Sequence, residues 1–158
     1  MVKSAIKITI ILNSVILIGV PAGHGYGLMA MFEFLSIPYL IRNGIEFGKD
    51  NPFEGGLILA ALISLIGKVF LIVSLFYKKI RDKKILIDAG LFLVLISFMS
   101  ISYKAWQYDN FLLIITFGSG IPFLMYLGRV IYLLHRQERT AENESDEKKP
   151  AYNKAYEQ

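Results

Sequence analysis

Lys68 stands near the middle of an apolar stretch, Gly55 to Tyr77, with no other charge between Glu54 and Lys78. Holding an ionisable group at the centre of such a stretch in hydrocarbon costs roughly 2.5–3.5 kcal/mol even on lenient insertion scales, so its retention implies a role. Gly56, Ala60 and Ser64 precede it at four-residue spacing, and positions four apart share one helical face. A row of small residues admits a neighbouring helix closely and aims Lys68 at that neighbour rather than at lipid. Snorkelling offers no escape, because the nearest end of the stretch is about nine residues, or ~14 Å, away.

The groups that can meet this ammonium are Asn13 and Ser14 in a first apolar block, Ser97 in a third and Ser119 in a fourth. Their oxygens are acceptors, and the run Gly118-Ser119-Gly120-Ile121-Pro122 adds a backbone carbonyl that Pro122 leaves without its helical donor. A carboxylate reaches the same depth only if Glu33 folds inward on a re-entrant segment. The expectation is therefore a polar midplane layer of Lys68, Asn13, Ser64, Ser97 and Ser119, which either knits helices together or forms a site for an anion or a proton. A broken fourth span at the glycine-proline run would suit the second role.

Other titratable residues are more scattered. Asp88 and Arg129 lie at matching depths near the ends of the third and fourth blocks and are expected to pair. His24 and Glu33, on an outer loop, form a weak acid-base or metal constellation. His135 falls on the opposite side, so the two histidines cannot share a metal. No Ser-x-x-Lys, His-Glu-x-x-His, Gly-x-Ser-x-Gly or phosphate-loop pattern is present. Cysteine is absent, which removes disulfides, thiolate metal sites and thiol nucleophiles together. No catalytic residue, metal or cofactor is implied, and an enzyme is unsupported.

The elements that must position these residues are membrane spans. With 158 residues, 54% hydrophobic, 19% charged and a mean hydropathy of +0.49, the chain is too apolar for a soluble domain. Its apolar residues come in blocks of about 20, the length that crosses a bilayer. The expected fold class is an all-α integral membrane protein: a four-helix transmembrane bundle with an outer interfacial or re-entrant segment and a disordered cytoplasmic tail. The spans fall at about residues 5–20, 55–77, 85–103 and 111–134, and the re-entrant or interfacial segment at about 28–41. The last is short, apolar except for Glu33 and Ser36, and interrupted by Pro38.

Orientation follows from the loops. Lys78 to Lys84 reads KKIRDKK, five basic residues against one Asp, and Lys3, Lys7, Arg129, Arg136 and Arg139 fall at the same level if the helices alternate. Basic loops stay inside, so both termini are expected in the cytoplasm, in a plasma or bacterial inner membrane. Tyr103, Trp106, Tyr108 and Phe111 supply an aromatic belt at the outer interface. Two alternatives differ: a five-span reading conflicts with the charge bias, and a cleaved signal peptide ending near Ala22 leaves three spans. The tail, residues 135–158, has no apolar period and is expected to be disordered. Anionic lipid at the basic face is one expected partner, another membrane protein or a second copy of the chain is another, and nothing points to nucleic acid. Three roles follow: an accessory or structural subunit, a transporter or channel component built on Lys68, or a membrane enzyme using His24 and Glu33.

Overall fold

The second, third and fourth apolar blocks form helices, each long and apolar enough to cross a membrane: Gly55–Ser74, Lys83–Tyr108 and Asn110–Gln137. A computed structural model describes residues 2–20, 25–43, 52–77 and 80–153. In chain order its elements are α1 (Val2–Ser14), β1 (Leu17–Val20), β2 (Gly25–Leu28), α2 (Met29–Asn43), α3 (Pro52–Ser74), α4 (Ile80–Tyr108) and α5 (Asn110–Asn153).

α3 and α4 pack antiparallel along their whole shared length. Gly67 and Gly90 mark the closest approach. A Cβ on Gly67 would lie 3.0 Å from the Gly90 carbonyl oxygen, and one on Gly90 would lie 2.9 Å from that of Gly67. Small residues at a crossing let two backbones meet, which is how apolar helices associate when the surroundings are equally apolar. Ser97 Oγ on α4 donates to the Ala60 carbonyl on α3 at 2.6 Å, tying the pair higher up. α4 and α5 join through Asp109 alone, whose carboxylate accepts from the Phe111 N–H at 3.0 Å and so caps α5. Phe98 then packs between Phe117 and Phe123 of α5, with ring centroids 5.9 and 5.7 Å away.

The first block departs from its expected helical span. α1 stops at Ser14, and Leu17–Val20 forms a strand paired antiparallel with Gly25–Leu28 in the register Leu17 to Leu28 and Val20 to Gly25. The cause is local. Asn13 and Ser14 are weak helix formers, Ser14 Oγ bonds back to the Ile10 carbonyl at 2.9 Å, and β-branched Val15 and Ile16 lead into Gly19 and Pro21. At 13 residues α1 is about 20 Å long, and the four residues of β1 span about 13 Å.

β2 leads directly into α2, which packs on α3. Phe32 folds back over Gly27, whose missing side chain makes room for its ring. Glu33 lies level with Ser64 and Lys68, about 20 Å along α3 from Pro52. The nine steps from Asn43 to Pro52 reach at most about 32 Å, too short if α2 ran parallel to α3, so α2 returns antiparallel to it.

Two further differences concern α5. The Gly118-Ser119-Gly120-Ile121-Pro122 run does not break it; the helix is continuous through Pro122. The segment expected to be disordered from residue 135 is, through Asn153, the continuation of the same helix. Once a helix is nucleated, each added residue needs only to propagate it, and this stretch is rich in Glu, Lys, Arg, Gln and Ala. Large apolar side chains stand exposed on α2 to α5, with Phe34, Ile41, Phe92 and Met125 among them, while Asn13, Glu33, Ser36, Ser64, Lys68 and Ser97 are buried.

Candidate functional site

The site lies where α1 ends, α2 begins and the midpoint of α3 passes between them. Lys68 Nζ donates to Glu33 Oε2 at 2.7 Å and to Ser14 Oγ at 2.6 Å. Both charged side chains are 6% exposed. The other carboxylate oxygen, Glu33 Oε1, is 2.7 Å from Ser64 Oγ, and that same hydroxyl is 2.9 Å from Asn13 Oδ1. Removing two charges from solvent is costly, and such a pair is tolerable only when its remaining lone pairs and protons are also matched. Here a hydroxyl serves each partner. Ser14 is the last residue of α1, so the negative end of that helix dipole also lies beside the ammonium.

Ser64 has one proton and two acceptors in reach, and the carboxylate is the stronger. Rotating the Asn13 amide by half a turn resolves the competition: its N–H then donates to Ser64 Oγ, whose proton goes to Glu33. Among the described residues the other amide atom of Asn13, Nδ2, is buried without a partner.

The expected midplane layer is thus divided. Lys68, Asn13 and Ser64 come together, joined by Ser14. Ser97 is committed to the Ala60 carbonyl. Ser119 accepts the Leu17 N–H at 3.0 Å and donates to the Thr116 carbonyl at 3.1 Å. That contact has its own logic. Met29 N–H donates to the Ile16 carbonyl at 2.9 Å, which sets the phase of the hairpin and turns the Leu17 N–H away from β2. Unpaired strand edges are not tolerated in apolar surroundings, and Ser119 occupies this one.

Glu33 is not on an outer loop. β2 and the first turns of α2 carry it into the interior, where its carboxylate is committed to Lys68 and Ser64. The residue proposed to pair with it there, His24, lies outside the described residues. Asp88 and Arg129 are both exposed and do not pair; the Arg129 guanidinium lies over the Tyr126 ring, 5.6 Å from its centroid. Their expected match in depth did not suffice, since depth alone leaves helix rotation free, and Arg129 turns instead to Tyr126 of its own helix. Among the described residues no cluster of three metal-ligating side chains occurs.

Sequence reasoning missed the hairpin, although alternating glycines at Gly23, Gly25 and Gly27 were its signal. No protein-family model matches this sequence, and no curated protein or solved structure shows significant similarity to it.

Proposed function

We propose that this chain is a small integral membrane protein whose buried ion pair is structural, and that it serves as an accessory or structural subunit of a membrane complex. α3, α4 and the first part of α5 would be its helical spans, with α1 and β1 forming a composite fourth crossing and β2 with α2 a re-entrant element. The bilayer hydrocarbon is about 30 Å thick, close to the length of the composite crossing. KKIRDKK and both termini would face the cytoplasm, where basic residues favour anionic lipid. One observation carries the structural reading: Lys68 is matched by Glu33 and Ser14 at hydrogen-bond distance, so its charge is already answered within the fold.

A second reading, a transporter or channel component with a midplane site, is favoured by the unpartnered amide atom of Asn13 beside the pair. A water or small ion could occupy that position, and a helix end meeting a non-helical segment at mid-depth is the geometry such sites use. An enzyme using Glu33 with His24 is the weakest reading, because Glu33 is buried in the ion pair.

The deciding experiment replaces the pair with apolar residues, Glu33→Leu together with Lys68→Met, and asks for complementation of a deletion strain beside folding in detergent. Full complementation supports the structural role. A folded variant that fails to complement supports the midplane site.

A further inference from the structure

Asp88 and Arg129 do not pair within the chain, yet they share one face of it. Met99 of α4 and Gly118 of α5 line the same open groove, so they face the same side of the molecule. Asp88 precedes Met99 by eleven residues, and Arg129 follows Gly118 by eleven. Eleven residues make about three helical turns, which returns a side chain to within about 20° of the face it started from. Both charges therefore stand on the groove side. Because α4 and α5 are joined through one residue and pack as antiparallel neighbours, each charge also lies about 16 Å from the groove in the same direction. The two are level.

Neither is answered there. Both residues are exposed; among the described residues Asp88 has no hydrogen bond or ion pair, and Arg129 has only the Tyr126 ring. A ring face attracts a guanidinium but offers nothing to the forked N–H pairs that match a carboxylate. In the membrane reading above, on which this inference rests, Asp88 lies five residues, or about 7.5 Å, inside the Lys83 end of its span. So short a side chain cannot snorkel as a lysine does, and an unpaired carboxylate facing lipid is costly. The surface beside the charges is ready for a neighbour. Phe92 and Met125 are exposed on it, and Gly118 has nothing within 4 Å of where a Cβ would stand, which leaves room for another helix to come close.

We propose that this face of α4 and α5 binds a second copy of the chain about a two-fold axis along the membrane normal, with Asp88 of each copy paired to Arg129 of the other. Rotation about that axis preserves depth, and a patch carrying both signs at one level is complementary to itself, so the pair forms twice. A partner of different sequence would have to supply both charges at that level. A second copy supplies them by construction.

The test exchanges the charges. Asp88→Arg puts two arginines on the face and Arg129→Asp puts two aspartates there, and each full-length chain, carrying its own dye, is reconstituted in phosphatidylcholine vesicles for energy-transfer measurement of dimers. Wild type should dimerise. Each variant alone meets like charge at both contacts, so its dimer dissociation constant should rise about tenfold or more, while the two variants mixed should recover a heterodimer close to wild type in affinity. Unchanged melting in detergent checks that each variant folds. Since the chain has no cysteine, a second route avoids charge reversal: Asp88→Cys in one copy and Arg129→Cys in a differently tagged copy should form a disulfide between the two. A dimer that survives in both like-charged variants, or folded variants whose mixture stays monomeric with no disulfide formed, would overturn the interface. Monomeric wild type that resists alkaline extraction from the vesicles would overturn it while leaving the membrane reading intact, and a chain that washes off them would overturn both.

Discussion

Breaking the Lys68–Glu33 pair from one side and from both should give very different stabilities. At 2.7 Å and an effective dielectric constant of about 20, the attraction between the two charges is about 6 kcal/mol, most of which offsets the cost of desolvating them. Lys68→Met removes the attraction but leaves Glu33 buried, with only Ser64 for a partner; Glu33→Leu leaves the ammonium with only Ser14. Each single change should therefore cost about 3 kcal/mol or more, the usual result of orphaning one member of a buried pair. The double change removes both the attraction and both desolvation costs and should lie within about 1 kcal/mol of wild type, or above it. The coupling energy from the cycle should then be several kcal/mol, beyond the roughly 0.6 kcal/mol average of intramembrane hydrogen bonds. Reversible unfolding of the purified chain in mixed micelles of detergent and dodecyl sulfate measures all four variants. A double variant whose loss equals the sum of the two singles would refute the reasoning, as would a Lys68→Met protein as stable as wild type.

Gly90→Val should push α3 from α4 at their closest approach and cost about 1–3 kcal/mol in the same unfolding assay, whereas Gly128→Val, with open space around it, should be neutral. Ser119→Ala should orphan the Leu17 N–H, lowering stability by about 1–3 kcal/mol and speeding hydrogen exchange of Leu17–Val20 while leaving α3 and α4 protected. Because the chain has no cysteine, single cysteines report topology directly: those at Arg81 and Asn153 should resist an impermeant thiol reagent in intact cells, and one at Asn51 should react.

The three long helices were legible because each apolar run is broken by a single charge only and ends in charge or aromatic residues, as at Lys78 and at Trp106 to Phe111. Lys68 was legible for the complementary reason, a lone charge amid twenty apolar neighbours. Its principal partner was not. Glu33 is apolar-flanked in a segment too short to span, and its depth depends on a hairpin that hydropathy does not register, since strand and helix are equally apolar there. Asn13 and Ser64 were read from their positions along straight helices, and the structure brings the two side chains within 2.9 Å of each other. Ser97 and Ser119 sit at similar depth but face other partners, because level alone does not fix helix rotation. Asp88 and Arg129 failed as a pair for the same reason.

The hairpin has a consequence for the order in which the molecule can be assembled. Glu33 and Lys68 are 35 residues apart, so α2 and α3 can find one another as soon as α3 has emerged from the ribosome. The Leu17 N–H, by contrast, waits for Ser119, 102 residues later. At synthesis rates of about 5–20 residues per second that interval lasts several seconds. Through those seconds the amino-terminal segment holds a strand edge with no acceptor, which an apolar environment penalises. Its final position is accordingly set late, by the last helix to be made, and a nascent chain cut short before Ser119 would carry the α2–α3 pair already formed beside an amino-terminal hairpin whose Leu17 N–H is still unanswered.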